Sequence, residues 1–423
     1  MHPHQAQFIA YLKTKGTGPT MSKSLTAEDF PELNRLFLSP DVCLTTKATL
    51  LTALLTLPAT PEEAHWISEL TQKNLPSDLY CLLPDTPADS SFIQTIHSIM
   101  AHQDLTQAHC QACMEQLFDP TLPEFLKAAF LEGERLKRET LLENEAFWAY
   151  LWKHAQHHPI DLPFVIDLSN GYDGFNRTPY LTPFTAALLG ASGFPCILHG
   201  MDEISPKNGI NPFKLLKACG KNPLSLTIAH KSLKTVGWGY ADQSLTFPAL
   251  FALKPLRFHM VKRPFIATLE KLLQPFQAHK NYLITSYTHP PYKEMLQTLL
   301  KQTKKWDKTV ILRGAEGSIQ LSLDRRTPVL GDADSESGYV SPNDFHLTPH
   351  LLEQGPITVE TSLESGLEAL KGRNGYAKDA VIYQGAVILT YLGLLEHSQA
   401  FVLLQKTIAS GAALRAWNDG MTP

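Results

Sequence analysis

The sequence predicts an α/β protein: a helical N-terminal region built twice, followed by a domain with a mostly parallel sheet. Three observations carry that expectation. Two stretches near the N-terminus repeat one helical pattern at a constant offset of 80 residues. From about Pro163, short apolar runs alternate with helical segments, the order expected of parallel strands joined by crossover helices. The length of 423 residues is enough for two or more domains and a substantial core.

The first copy begins at Leu25 and reaches Trp66, and the second begins at Leu105 and reaches Trp148. Leu25-Thr26 matches Leu105-Thr106, Pro40 matches Pro120, and Thr60 matches Thr140, each 80 residues apart. A two-residue insertion then separates the tryptophans. Each copy opens with a threonine suited to cap a helix, then shows an apolar helical period. Each is broken by a proline before a second amphipathic segment. The stretch between them, with prolines at 76, 84 and 87, reads as a linker.

Further along, 163–168 (PFVIDL) and 194–200 (FPCILHG) read as strands around a helix at 181–192. YLITSY (282–287) and KTVILR (308–313) read as strands flanking a helix near 291–303. The segment 331–340, GDADSESGYV, reads as an acidic surface loop, and the chain from Tyr376 onward reads as helical. The expected boundaries are therefore 1–75 for the first helical repeat, 76–96 for the linker, 97–155 for the second repeat and 156–423 for the α/β domain.

Composition narrows the class. Hydrophobic content of 43% and charged content of 18% suit a globular protein, and no apolar run approaches the roughly 18 residues of a membrane span. The N-terminus lacks the apolar core of a signal peptide. Six scattered cysteines do not suggest a disulfide framework. A cytoplasmic protein without membrane contact is expected. The net charge of −4 is unevenly spread: −10 over residues 1–198, +12 over 199–326 and −6 over 327–423. A +12 block creates a local field that attracts phosphates, unless its lysines are dispersed around the fold.

Lys262 to Pro275, KRPFIATLEKLLQP, resembles the R-T-x-F-N-x-L-G-P-x-x-N-P segment of anthranilate phosphoribosyltransferases, the glycosyltransferase family 3 fold. Arg263, Leu269, Leu272 and Pro275 hold their places, whereas Phe-Asn has become Ile266-Ala267 and Gly-Pro has become Glu270-Lys271. Pro342–Phe345 resembles the family's P-E-D-F element, and Gln384-Gly385-Ala386 stands in its Asn-Ala-Ala helix. The resemblance implies the α/β fold of anthranilate phosphoribosyltransferases and nucleoside phosphorylases, and a homodimer paired through the helical domain. In the family that helical domain occurs once.

The resemblance also implies where substrates would sit, and there the residues depart. The family holds the diphosphate of phosphoribosyl pyrophosphate on a G-T-G-G-D turn, where glycines let backbone N–H groups approach. Here the turn reads Ser169-Asn170-Gly171-Tyr172-Asp173, in which Asn170-Gly171 reads equally as an ordinary turn. H-G-N-R has become His199-Gly200-Met201-Asp202, which places a carboxylate where the family has an arginine. Thr182 and the loop Lys207-Asn208-Gly209 match phosphate-contacting positions, and Arg263 matches the arginine that binds the anthranilate carboxylate. The magnesium turn G-G-M-D-E has become Gly314-Ala315-Glu316-Gly317 after Arg313, with one carboxylate left. No resident cofactor is expected, and magnesium only if transfer survives.

The R-x-x-x-x-T-L-x-K-L-x-x-P form of the 263–275 segment, the Leu181–Pro183 tripeptide and the Asn-Gly turn resemble YbiB-type paralogues of the family, which bind nucleic acids and lack the transfer reaction. The expected nucleic-acid contacts are Lys207, Lys214, Lys217, Lys262, Arg263, Lys271, Lys301, Lys304, Lys305 and Lys308. His97, His102, His109, Cys110 and Cys113 lie close in sequence, and Cys110-x-x-Cys113 has a spacing seen in zinc sites. Those cysteines also fall on the apolar face that Phe30 and Leu33 occupy in the first copy, which favours packing. Three functions follow: a non-specific DNA- or RNA-binding protein, a phosphoribosyl pyrophosphate-dependent transferase with an altered acceptor, or a non-catalytic assembly protein. The phosphate element of nucleoside phosphorylases, K-x-x-x-H-S-x-G, is absent.

Overall fold

The computed structural model describes every residue except Gln72, 332–337, 348–354 and Pro423. The chain divides into two compact units, Met1–Lys153 with Ala252–Leu269, and His154–Phe251 with Glu270–Pro423.

Among the described residues, the first unit holds eight α-helices before its last segment: α1 (Pro3–Lys15), α2 (Phe30–Leu38), α3 (Leu44–Thr56), α4 (Pro61–Ser68), α5 (Ser91–Met100), α6 (Gln107–Leu117), α7 (Glu124–Lys137) and α8 (Leu141–His154). α3 and α7 begin 80 residues apart and pack on each other. Both bury residues on almost every face, as central helices of a bundle must. α4 and α8 start in the same way. Thr60 and Glu63 form a capping box, with Glu63 N 3.2 Å from Thr60 Oγ1 and Thr60 N 3.0 Å from Glu63 Oε2. Thr140 and Glu143 repeat it at 3.2 and 2.7 Å.

Each box glutamate is buried and does two more jobs. Glu63 accepts from Leu25 N at 2.9 Å and from Lys15 Nζ at 2.7 Å. Glu143 accepts from Leu105 N at 2.6 Å and from Lys137 Nζ at 2.7 Å. The lysine comes from α1 in one case and from α7 in the other.

Two boundaries differ from the sequence reading. Within 76–96, the 3-10 helix Ser77–Leu82 buries Leu79 and Leu82, and α5 starts at Ser91 on a Ser90 cap. Apolar residues between the prolines fold that stretch onto the bundle instead of leaving a linker. Ala252–Leu269 joins the helical unit because the helix Lys254–Met260 packs on α3 and α7, and the Phe265 ring meets Phe130 and Phe147.

The second unit is α/β. Its described strands are β1 (His158–Pro159), β2 (Phe164–Leu168), β3 (Cys196–Gly200), β4 (Trp238–Asp242), β5 (Phe276–Gln277), β6 (Lys280–Ser286), β7 (Lys308–Leu312), β8 (Thr327–Leu330) and β9 (Gly338–Val340). β1 and β5 pair by themselves. The other seven form one sheet in the order β4-β3-β2-β6-β7-β8-β9. The first five are parallel, and the pairs β7/β8 and β8/β9 are antiparallel. β2, β3, β6 and β7 are the apolar runs anticipated above. Of the expected acidic loop 331–340, residues 332–337 lie outside the described residues, while 338–340 is strand rather than loop.

Helices α9 (Thr182–Ala191), α10 (Pro212–Ala218) and α11 (Leu226–Thr235) follow β2 and β3. The helix Tyr376–Tyr391 buries every residue from Ala380 to Leu389 and packs against α9. Because five strands run parallel, the loops after β2, β3 and β7 leave from one edge of the sheet, where ligands of open α/β sheets bind. No described helix is long and apolar enough to cross a membrane.

Candidate anion site at the carboxyl edge of the sheet

The turn after β2 is stitched to the loop after β3. Gly209 N donates to Asp173 O at 2.8 Å, and Phe175 and Ile210 exchange two backbone bonds of 2.8 Å each. A Cβ on Gly209 would stand 2.6 Å from Phe175 N and 2.8 Å from Asn176 Oδ1, so only glycine allows the approach. This contact fixes Asn176, Arg177 and Thr178 beside Lys207.

Into that corner the turn after β7 delivers Glu316. The N–H groups of Asn176, Arg177 and Thr178 donate to Glu316 Oε1 at 3.2, 2.8 and 3.2 Å, and Thr178 Oγ1 adds a contact of 3.3 Å. Asn176 N also lies 3.2 Å from Oε2, as does Lys207 Nζ, and Arg177 Nε stands 3.9 Å from it. Burial pushes the Glu316 carboxyl upward, but the Arg177 N–H, the Lys207 charge and the Asn176 N–H outweigh it and hold the group below its ordinary value. The glutamate side chain is only 4% exposed. Its backbone sits at φ 53°, the left-handed region that costs a non-glycine residue about 1 kcal/mol. Next to it, a Cβ on Gly317 would stand 2.2 Å from Thr288 Oγ1. The turn is thus shaped to aim this one carboxylate.

A second polar cluster lies in the ends of β2 and β3. Asp167 Oδ1 is 2.9 Å from His199 Nε2, and Tyr172 OH is 2.6 Å from His199 Nδ1 and donates to Glu270 O at 3.2 Å. All three side chains are buried. Burial raises the Asp167 carboxyl while His199 pulls it down, and burial prevails. The Tyr172 phenol is thus held between the His199 ring and the Glu270 carbonyl.

The other expected phosphate contacts are placed as follows. Asn170 is spent inside the fold, donating to Tyr180 OH at 3.0 Å and accepting from Ile319 N at 3.0 Å. Thr182 is wholly buried, its hydroxyl 3.4 Å from Gln384 Nε2. Gly171 is half-buried, and Gly200 is buried beside the Tyr172 and Tyr240 rings. Asn208 carries φ 49° and accepts Lys214 Nζ through its carbonyl at 2.8 Å. Arg263 is half-buried in the helical unit.

The ten basic candidates are not alike. Lys217, Lys301, Lys304 and Lys305 are exposed. Lys207 is committed to Glu316, and Lys308 Nζ donates to Leu392 O at 2.6 Å. Lys271 is buried and donates to Ser286 O. Lys262 is buried in the helical unit, with its ammonium lowered to about 8 by burial.

Cys110 and Cys113 are buried in α6, where burial pushes both thiols up, Cys113 to about 12. His97 and His102 instead meet the carbonyls of Cys81 and Thr56. Among the described residues the one group that brings three ligand atoms together is His2, His4 and Asp41, and Arg35 lies 3.1 Å from His4 within it.

The sequence reading missed Asn176–Thr178 and the destination of Glu316. Asn-Arg-Thr carries no glycine pattern, so only the contact across Gly209 reveals three convergent N–H groups.

No family model matches the chain. It is 28% identical over 302 residues to an uncharacterized protein of Aquifex aeolicus, a match covering 70% of this chain and 90% of that one. It is 23% identical over 335 residues to an anthranilate phosphoribosyltransferase of a Synechococcus species, covering 76% and 94%. The fold is similar to that of the Thermus thermophilus anthranilate phosphoribosyltransferase, with a TM-score of 0.65 at 18% identity over 76% of this chain and 96% of that one. It is also similar to the Saccharomyces cerevisiae enzyme in complex with phosphoribosyl pyrophosphate and Mg, with a TM-score of 0.64 at 13% identity over 78% and 97%.

Proposed function

We propose that this anthranilate phosphoribosyltransferase-like protein no longer transfers a phosphoribosyl group, and instead binds nucleic acid without sequence preference through exposed lysines of its α/β unit. The observation that carries this reading is the position of Glu316. Magnesium-assisted departure of pyrophosphate needs carboxylate oxygens free to take a hard cation. Both Glu316 oxygens already face N–H groups and an ammonium, and a cation placed there would meet Lys207 and Arg177. The residues present do not fit magnesium.

The positive half of the reading rests on charge. Within the +12 block, Lys301, Lys304 and Lys305 are exposed at the end of the helix Pro291–Thr303, and Lys217 is exposed after α10. Ammonium groups of this kind neutralise backbone phosphates and release counterions, which makes binding salt-sensitive and indifferent to sequence. The same reading includes a duplicated helical region, supported by the matched Glu63 and Glu143 boxes, a homodimer and a cytoplasmic location. Because α3 and α7 cover each other within one chain, a second copy would pair through other faces.

One observation favours a second reading. The Lys207–Gly209 loop and the three N–H groups beside it form a cradle able to take an anion. A transferase using phosphoribosyl pyrophosphate with an altered acceptor would keep such a cradle. Titration of a fluorescent single-stranded oligonucleotide at two salt concentrations, with and without phosphoribosyl pyrophosphate plus Mg²⁺, separates the two. Salt-sensitive binding indifferent to the sugar phosphate is expected. No oligonucleotide binding, with a clear response to the sugar phosphate, would overturn the proposal.

A further inference from the structure

We propose that His2, His4 and Asp41 form a binding site for one divalent transition-metal ion of the zinc class, and that the ion clips the start of α1 to the turn between α2 and α3. The site belongs wholly to the helical unit and does not depend on the proposed function.

The ligand set and its spacing carry the inference. Among the described residues, this is the one group in which three histidine, cysteine or carboxylate ligand atoms lie within 4.8 Å of one another. His4 Nδ1 is 3.1 Å from Asp41 Oδ2, and His2 Nδ1 is 3.6 Å from the same oxygen. Tetrahedral bonds of about 2.0–2.1 Å place neighbouring ligand atoms about 3.4 Å apart. The two observed separations bracket that edge. Imidazole nitrogens with a carboxylate oxygen suit zinc, cobalt or nickel, whereas magnesium and calcium prefer shells of oxygen alone. Three protein ligands leave a fourth position open to water.

Anchored elements hold these side chains. Pro3 fixes φ between the two histidines in the first turn of α1. Gln5 ties that turn to the next loop, accepting from Cys43 N at 2.8 Å and donating to Thr46 Oγ1 at 3.0 Å. The buried Lys47 ammonium donates to Ser39 O at 2.8 Å, and Asp41 N donates to Ser39 Oγ at 3.3 Å. The ligand side chains themselves reach the surface, His2 being 48% and Asp41 41% exposed, so an ion can arrive from solvent.

One ring is ready for a metal and the other must exchange a proton. His4 N donates to His2 Nδ1 at 3.3 Å, so that nitrogen carries a lone pair. At His4, Arg35 Nη1 lies 3.1 Å from Nε2, which makes Nε2 the acceptor. The proton is then on Nδ1, facing Asp41 Oδ2 and, at 2.9 Å, Ser39 Oγ. An ion bound to Nδ1 takes that proton's place, and the proton moves to Nε2, where it meets the guanidinium. Two donors cannot share that contact, so Arg35 swings away. Its side chain is 49% exposed and keeps its own partner, Glu32, at 2.7 and 2.8 Å. Arg35 is thus a competitor for the site. Its charge and the positive end of α1 oppose the cation that Asp41 and Glu32 attract.

The probe is Co²⁺, followed by Zn²⁺, titrated into the full-length protein prepared without a histidine tag. A single equivalent of Co²⁺ should give the strong visible absorption of four-coordinate nitrogen and oxygen ligation, without a thiolate charge-transfer band, and Zn²⁺ should displace it. His4→Ala and Asp41→Asn should each weaken binding by about tenfold or more, and Arg35→Ala should strengthen it by about tenfold. Zinc should raise the melting temperature of the unmodified protein and leave that of Asp41→Asn unchanged, because an ion that binds only the folded chain stabilises it. Asp41→Asn keeps the shape of its side chain, so the comparison stands even if His4→Ala frays α1. No Co²⁺ uptake, a thiolate band, or binding that survives both ligand substitutions would each overturn the site. Unchanged affinity in Arg35→Ala would overturn ligation through His4 Nδ1, on which the clip depends.

Discussion

Tyr172 and His199 are joined by a contact of 2.6 Å between the phenol oxygen and Nδ1, while Asp167 holds the opposite ring nitrogen at 2.9 Å. The imidazole is therefore pinned at both ends inside the sheet edge. Tyr172→Phe would leave a buried ring nitrogen without that partner, a loss of about 1–3 kcal/mol. Urea unfolding is expected to show a lower midpoint with an unchanged slope. An unchanged midpoint would mean that the imidazole finds another partner and that the phenol is not part of the scaffold.

The strands on either side of this contact were legible because they are short, continuous apolar runs, as strands buried on both faces must be. β4 was not. Trp238-Gly239-Tyr240-Ala241-Asp242 mixes glycine and a carboxylate into a strand that is nonetheless buried throughout. Gly239 is tolerated because α11 lies against it: a Cβ there would stand 3.0 Å from Ala229 O. The site was half legible. Lys207 and Gly209 could be found as a motif, whereas the Asn176–Thr178 donors exist only once Phe175 and Ile210 pair across 35 residues. Glu316 could be noticed as a remaining carboxylate, but its partners come from two other loops, which local pattern does not encode.

The matched ion pairs give a second prediction. Glu63 and Glu143 are wholly buried, and each holds a lysine ammonium at 2.7 Å. Glu63→Ala removes the carboxylate paired with the buried Lys15 ammonium, which costs about 3–5 kcal/mol. Lys137 keeps Glu134 at 3.7 Å and Asp104 at 3.5 Å when Glu143 is lost, so Glu143→Ala should cost less. Thermal melts of both variants should fall, Glu63→Ala further, and equal falls would show that Glu134 and Asp104 do not compensate at Lys137.

Thiol reactivity tests the reading of Cys110 and Cys113 as packing residues. Only the thiolate attacks an aromatic disulfide reagent, and burial pushes both thiols far above neutral pH. Cys196 is buried and its thiol is also raised. In the native protein, reaction is expected only at the half-buried Cys43, Cys81 and Cys219, with the rest released by denaturant. Reaction of Cys110 and Cys113 in the native protein, suppressed when zinc is added, would revive a metal site there.

Nucleic-acid binding through the exposed cluster makes a quantitative demand. Each phosphate contact to a single strand contributes about 0.7 to the slope of log K against log salt. Replacing Lys301, Lys304 and Lys305 together by alanine should lower the slope by about 2 if all three touch phosphates. Lys271→Met is the control, because that ammonium is buried against Ser286 O. Equal losses from the cluster and from the control would place the binding surface elsewhere.

Lys262 supplies a pH signature with a definite sign. Burial lowers its ammonium to about 8, against an ordinary lysine value of 10.5, with Glu132 pulling upward and Arg135 and Lys13 pushing down. Below about pH 8 the group is charged in both the folded and unfolded chain, so the burial penalty is fully present. Between about 8 and 10.5 the unfolded chain binds more protons than the folded one, and stability contributed at this residue rises with pH. Lys262→Met removes the penalty without emptying the space. It should therefore melt at a higher temperature than the unmodified protein at pH 7, and the gap should close as pH rises toward 10. Other titrating groups are common to both proteins and cancel in that difference. A gap that stays constant across the window would show that Lys262 keeps an ordinary ammonium, and would return it to the residues available for phosphate.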